Sequence, residues 1–467
     1  MATTIRATQA GLAHVDQIRR SKGWAKTEKA WCDLAYTSES TLKRFWAGQP
    51  IQQEAFINIC KEVGIEDWQR LIDANPIQSN ISYINFSVYD EEWVGREIVV
   101  DELSQKIDNS CRVLLLVGLT GIGKTALAEK LVERLRGLWI ENRENFESQE
   151  RTSDFVSVAF QWLQRWGEVV SPDQCQPQPL RRRLLKRLCE NKHLILMDSL
   201  ECILTGNSDE GWGGFADPEW SAFFIQLLAE PNCLSCFILT SQDLPTQFGT
   251  AEFDRYKNYW FCKLLKGLEA QEQITLFRKV NLEYRLEVLD SPLRLIGQIY
   301  DGHPLALRVI SGDIKQNYNG RVEAYWKENS YYIENVKKDL DAARQLDTKE
   351  GAEDRWHLDS YTRTLRSLVR ERVQKTLDRL KCDVPDAYLL LCTASIYRCE
   401  VQEEWWLTHL EYRGYDRQRQ RDSMQALRDR YLVEDGGIDE EDERLVGQHN
   451  LIRSVAISHR LELFKTT

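Results

Sequence analysis

Gly118-Leu-Thr-Gly-Ile-Gly-Lys-Thr125 carries the spacing G-x-x-x-x-G-K-[ST]. Glycines at these positions let successive backbone N–H groups turn inward onto phosphate oxygens, and a helix starting at the end of the loop adds its positive end. Lys124 is placed to neutralise the β- and γ-phosphates and Thr125 to ligate magnesium. The candidate phosphate-binding set is therefore Gly118, Gly121, Ile122, Gly123, Lys124, Thr125 and Ala126. A magnesium ion held this way needs a carboxylate at the end of a neighbouring strand, and His193-Leu-Ile-Leu-Met-Asp198 supplies Asp198. Glu201, one helical turn further on, could orient a water, although Asp-x-x-Glu is also an ordinary cap or surface arrangement. A third apolar run ends in Thr240-Ser-Gln-Asp243, which puts Gln242 where a side chain could face the γ-phosphate; the same four residues also make a common strand-ending turn. Lys124, Asp198 and Glu201 form the candidate catalytic set.

Such a loop works only between a strand and a helix. Val113–Val117 reads as the strand and Ala126–Leu135 as the helix. Phe155–Phe160, Leu194–Met197 and Phe237–Thr240 read as further strands, and Leu180–Cys189 as a helix. Their alternation predicts a parallel sheet with helices on both faces. Beyond Leu264 helical patterns dominate until about residue 430. There Arg430–Val433 and Arg444–Gly447 flank the acidic segment Glu434–Glu443, which predicts a hairpin with a solvated tip. Residues 1–75 read as short amphipathic helices, and Asp73–Asn80 as a linker. Within the first part, Lys29–Trp46 predicts a helix, a turn near Thr37-Ser38 and a second helix capped by Ser38 or Ser40, the pattern of a helix-turn-helix.

The chain has 467 residues, which at about 100–200 residues per domain means three or four domains. Its net charge of -11 argues against wholesale polyanion binding, but residues 1–50 hold eight Lys or Arg against four acids, so a local basic face remains open. The twelve cysteines are scattered through a chain too long to be a disulfide miniprotein and read as reduced thiols of a cytoplasmic protein. Cys233-Leu-Ser-Cys236 has no second pair at zinc-finger spacing. No apolar stretch approaches the ~20 residues of a membrane span, and no internal repeat marks a solenoid or propeller.

The order of these motifs resembles the NB-ARC group of STAND signalling ATPases, in particular its bacterial, cyanobacterial branch. Trp93-Val-Gly-Arg-Glu97 is similar to the motif with which the family's nucleotide domain opens; the resemblance implies that Val94 contacts adenine and Arg96 senses phosphate. Gly302-His-Pro-Leu-Ala-Leu307 resembles the family's Gly-x-Pro-Leu-Ala-Leu motif, which implies that Pro304 and Leu305 pack on the base. Gly447-Gln-His-Asn450 resembles its Met-His-Asp motif, with only the histidine retained, and implies that His449 contacts the β-phosphate of ADP. Ser199 stands where the family often has Asp or Asn, and Gln242 where it commonly has Arg. A neutral amide cannot replace that fixed charge, so slow hydrolysis at most is expected.

What the resemblance implies is a multidomain α/β plus α protein. It comprises a helical helix-turn-helix-like domain (1–75), a P-loop parallel-sheet nucleotide-binding domain (76–262), a small helical subdomain (263–345) and a C-terminal winged helix (346–467). ATP/ADP and Mg2+ are the implied cofactors, with Thr125 and Asp198 on the metal, ADP held at rest, and homo-oligomer formation in the ATP state. Sensor repeats usually follow in the family; here the sequence stops at Thr467, so sensing would fall to a protein partner or a longer chain. The N-terminal unit is either a protein-interaction adaptor, with Trp24, Trp31 and Trp46 as core or contact residues, or a DNA reader through residues 29–46. In the second case Arg19, Arg20, Lys43 and Arg44 meet phosphate, and the protein is a nucleotide-regulated transcription regulator. A metabolic P-loop ATPase or kinase would need an acceptor pocket and a catalytic base that the sequence does not display.

Overall fold

Apolar residues recurring at three and four bury one stripe of each short helix near the start of the chain. These helices are α1 (Gln9–Ser21), α2 (Lys29–Leu34), α3 (Glu39–Trp46) and α4 (Gln53–Glu62), joined by an antiparallel bridge between β1 (Thr4–Ile5) and β2 (Ile51–Gln52). The computed structural model describes residues 4–5, 9–22, 24, 26, 29–35, 37, 39–46, 51–65, 71, 93–146, 153–170, 175–207, 211–347, 360–439 and 442–463. The proposed cap Ser38 and the linker Asp73–Asn80 lie outside them. The chain divides into two compact units, Met1–Asn80 with Gln161–Val170, and Ile81–Phe160 with Ser171–Thr467.

In the first unit Val15, Trp31, Leu42, Phe45, Phe56 and Ile59 form a closed core. Trp31 lies 5.7 Å from Trp24 and 5.9 Å from Trp46, ring centre to ring centre, and its indole N–H donates to the Ile59 carbonyl. The tryptophans thus pack on one another. Arg19 departs from the expectation that it faces phosphate: it is buried, donates to Asp16 at 2.6 Å and also bonds the Trp24 carbonyl. Arg20 pairs with Asp16 as well, at 2.6 Å, while Lys43 is exposed. The Arg44 side chain lies outside the described set.

The second unit is a mixed α/β fold around a five-stranded, all-parallel sheet. In chain order its elements are α5 (Glu97–Asn109), β3 (Val113–Val117), α6 (Lys124–Arg134), β4 (Ile140–Asn145), the first part of α7 (Phe155–Arg165, which passes into the first unit at Gln161), α8 (Pro177–Glu190), β5 (His193–Asp198), the hairpin β6 (Leu204–Asn207) with β7 (Gly211–Phe215), α9 (Pro218–Ala229), β8 (Cys236–Ser241) and β9 (Trp260–Leu264). The order across the sheet is β4-β5-β8-β3-β9. Asp198 was expected on a strand next to β3; instead β8 lies between β3 and β5.

Leu114, Leu116, Leu194, Leu196 and Ile238 bury one face against Leu103 of α5 and Leu127 and Leu131 of α6. On the other face Phe237 meets Phe223 and Phe224 of α9 at 5.6 and 5.7 Å. Asp217 starts two helices at once, accepting the Glu219 N–H of α9 and the Phe155 N–H of α7, both at 2.9 Å.

Phe155–Phe160, read as a strand, is the first half of α7. Its buried residues Phe155, Val158, Ala159, Trp162 and Leu163 keep helical spacing once the window extends past Phe160. β4, with the sequence IENREN, gave no apolar signal because it is an edge strand. The sheet runs on to Leu264, so a division at 262 cuts β9.

The remainder is mainly helical: α10 (Ala270–Lys279), α11 (Pro292–Ile299), α12 (Pro304–Asn317), α13 (Val322–Asp347), α14 (Ser360–Asp383), α15 (Pro385–Ala394), then β10 (Val401–Gln402), α16 (Glu403–Glu411), α17 (Arg417–Arg428), β11 (Glu434–Ile438), β12 (Arg444–Gly447) and α18 (Asn450–Leu463). The three strands form an antiparallel sheet in the order β10-β12-β11. The hairpin is present, but its first strand begins at Glu434 rather than Arg430, after Tyr431 turns with φ 55°.

One apolar core runs from Leu268 to Ala456 through all of these helices. Within it Asp313 of α12 pairs with Arg372 of α14, nearly fully buried, and with Arg379 at 2.9 Å. Gly312 lies against the Arg430 backbone, where an added Cβ would meet its Cα at 2.8 Å.

Candidate functional site

β3 ends in the glycine-rich loop, and the loop ends in α6. Gly121 and Gly123 take φ of 84° and 93°, a left-handed backbone that glycine adopts without strain. Both are also hemmed in. A Cβ on Gly121 would come within 2.8 Å of Leu305 Cδ2 and 3.0 Å of His303 Cε1, and one on Gly123 within 2.9 Å of Arg96 Nη1. The absent side chains thus admit two distant segments, 93–97 and 302–307, to the loop. Lys124 Nζ donates to the Gly118 and Leu119 carbonyls at 2.9 and 3.0 Å. Ile122 is buried and Ala126 half-buried on the first turn of α6.

Arg96 is fixed from both ends. Its backbone N–H donates to Glu272 at 2.6 Å and its guanidinium to the Lys266 carbonyl at 2.9 Å. Burial lowers its pKa to about 10, with Glu272 opposing; it stays a cation at neutral pH. The other Glu272 oxygen accepts the Glu269 N–H, so one carboxylate both starts α10 and holds the 93–97 segment. Val94, beside it, is half-buried against the helical core.

Pro304 opens α12 and Leu305 follows, buried. His303, which sequence reasoning passed over, caps that helix: its Nδ1 accepts the Ala306 N–H at 3.4 Å and its Nε2 lies 3.1 Å from the Thr120 carbonyl. With Nδ1 accepting, the proton sits on Nε2 and Nε2 donates to Thr120. The residue before a helix-opening proline is a cap position, which is the signal that could have found it.

His449 lies near enough to Lys124 and His303 for both to act on its charge. Burial lowers its pKa to about 3, with His303 and then Lys124 adding to the effect. His303 is lowered to about 4 by burial, despite the opposing bond to Thr120. Its Nδ1 occupied by the Leu451 N–H at 3.1 Å, His449 keeps Nε2 as its remaining ring nitrogen. The loop is therefore met by a fixed cation, Arg96, and two neutral imidazoles; of these His303 is committed to Ala306 and Thr120, which leaves Arg96 and His449 Nε2 as the donors for phosphate oxygens.

On the other side of the loop Asp198 Oδ1 accepts the hydroxyls of Thr125, at 3.0 Å, and Thr240. Thr240 in turn accepts the Ser199 N–H at 3.0 Å, with Ser199 left-handed at φ 61°. A hydroxyl and a carboxylate on hard oxygen atoms suit magnesium, which keeps most of its shell as water and phosphate oxygen. Among the described residues no group of three or more His, Cys, Asp or Glu gathers to hold a metal ion alone.

Glu201 and Gln242 meet each other, Gln242 Nε2 donating to Glu201 Oε1 at 2.9 Å. Glu201 Oε2 and Gln242 Oε1 are buried without a protein partner. Two more charged residues come into the site unannounced. Arg143 of β4 lies 2.7 Å from Glu129 of α6 and 3.7 Å from Asp198 Oδ2. Nothing in the IENREN segment, polar after Ile140, distinguishes that arginine in the sequence.

No family model matches the chain. An uncharacterized WD repeat-containing protein of Nostoc sp. strain PCC 7120 is 25% identical over 460 residues, covering 86% of this chain and 35% of its own length. The chain thus spans about a third of the curated relative it matches. Among solved structures, a Signal Transduction ATPase with Numerous Domains (STAND) protein with a tetratricopeptide repeat sensor from Pyrococcus horikoshii superposes with a TM-score of 0.45 at 15% identity, over 79% of this chain and 42% of that one. The Aeropyrum pernix ORC2 protein in its ADPNP–ADP complexes gives 0.33 at 13% identity, over 81% and 98%. Among the described residues no helix is long and apolar enough to cross a membrane.

Proposed function

We propose that this chain is an ATP/ADP-binding switch of the NB-ARC STAND type. The observation that carries the reading is the convergence on one glycine-rich loop of three segments far apart in sequence: Arg96 beside Gly123, His303 and Leu305 against Gly121, and His449 near Lys124.

In this reading Lys124 and the loop amides hold the β- and γ-phosphates, Val94, Pro304 and Leu305 flank the base, and Thr125 and Asp198 carry Mg2+. His449 donates from Nε2 to the β-phosphate of ADP and ties a winged helix, built on β10–β12, to the resting site. ATP breaks that tie and frees surfaces for self-association or for an effector partner. Hydrolysis is slow: Gln242 brings no charge to the γ-phosphate, and Glu201, the candidate for orienting water, is engaged by Gln242. The N-terminal unit serves as a protein-interaction adaptor. The DNA reading of residues 29–46 loses Arg19, which is buried on Asp16.

The test is the nucleotide released when protein purified without added nucleotide is denatured. About one ADP per chain is expected, and none from Lys124→Ala. His449→Ala should speed ADP release by about tenfold, the worth of one charge-assisted hydrogen bond. An empty wild-type site with rapid ATP turnover would overturn the switch in favour of an ordinary ATPase.

A further inference from the structure

The sheet register places Arg143 with precision. β4 and β5 pair in parallel, Asn145 opposite Asp198 and Arg143 opposite Leu196, so Arg143 and Asp198 project from the same face of the sheet. Leu196 on that face packs in the core with α6, and α6 presents Glu129, itself buried. The guanidinium spans the two carboxylates, Nη1 at 2.7 Å from Glu129 and Nη2 at 3.7 Å from Asp198 Oδ2. Asp198 Oδ1 is already engaged by two hydroxyls. The oxygen left to a cation is therefore the one that Arg143 faces.

We propose that Arg143 is an internal counter-ion that competes with the divalent cation for Asp198, and that Glu129 sets the strength of this competition by holding the guanidinium back. Resting on the nucleotide-switch reading, the inference makes Arg143 a positioning residue for the metal carboxylate.

The experiment measures binding of a fluorescent, non-hydrolysable ATP analogue to the full chain across a series of free Mg2+ concentrations, from EDTA upward. Arg143→Gln removes the competitor and should lower the Mg2+ midpoint by about tenfold, a modest share of the interaction of two charges at this distance. Glu129→Gln releases the arginine onto Asp198 and should raise the midpoint. Opposite shifts are the signature, since an arginine that merely neutralises Glu129 would move both variants in the same direction through lost stability. Midpoints that stay put, or move together, overturn the proposal. If Arg143→Gln fails to fold, Glu129→Gln decides alone: a raised midpoint supports the competition and an unchanged one ends it. Wild-type binding that is identical in EDTA and in Mg2+ also ends it while leaving the nucleotide reading intact. A wild-type chain that binds no analogue at any Mg2+ concentration, or binds it no better than Lys124→Ala, fails that reading instead.

Discussion

A histidine that caps a helix with one nitrogen and donates to a carbonyl with the other has no use for a second proton. His303 is in that position, and the burial of His303 and His449 drives both pKa values below the ordinary value of 6.5. The folded state therefore prefers neutral imidazole. Their contribution to stability is complete above pH 6.5 and is lost as pH falls toward about 4 for His303 and about 3 for His449, at up to about 1.4 kcal/mol per pH unit for each ring. Denaturant unfolding at pH 7 and pH 5 should show that loss, and His303→Asn, which can still cap α12, should reduce it. At this scale the sequence singles out residues where chemistry demands a type at a fixed spacing, as at Lys124, Thr125 and Asp198, and the fold brings the last two within 3.0 Å of each other. It was silent on which side chains would meet: Gln242 read as a missing charge, but nothing indicated that its amide would bind Glu201. The same holds for Arg143, whose role depends on the residue opposite it across the sheet.

Elements follow the same division. β3, β5 and β8 stand out as buried apolar runs because both faces of the sheet are covered. β4 does not, because an edge strand can be almost wholly polar and only Ile140 in it is apolar, and α7 was mistaken for a strand because six residues are too few to separate a period of 3.6 from a continuous apolar run. The connecting segments depend on close approaches that a sequence does not display. Gly95 is the sharpest case: with φ 70°, a Cβ there would fall 2.3 Å from the Glu272 carboxylate that holds Arg96. Gly95→Ala should cost about 2 kcal/mol through backbone strain and displacement of Glu272. Because the same carboxylate positions Arg96, nucleotide affinity should fall with it, as isothermal titration would read. An unaltered affinity would mean that Arg96 does not depend on this clamp.

Across the whole molecule, the α12–α14 junction sets a buried ionic cluster, Asp313 with Arg372 and Arg379, within the long helical core. Burial alone would raise the Asp313 carboxyl, but the two guanidiniums hold it below its usual value. Asp313→Ala leaves both arginines facing a missing partner and should cost about 3–5 kcal/mol. Urea unfolding followed by tryptophan fluorescence would register that loss, and protection of the 360–383 helix from hydrogen exchange should fall with it. The site itself is assembled from both ends of the second unit: Arg96 comes before the glycine-rich loop, and His449 is among the last residues described. During synthesis at about 5–20 residues per second, the loop is complete on the order of 15–60 s before His449 exists. For that interval a newly made chain can present a finished phosphate loop whose final contact has not been translated, so the first nucleotide to occupy it would be chosen by cellular abundance, and the histidine would close over whichever one had arrived.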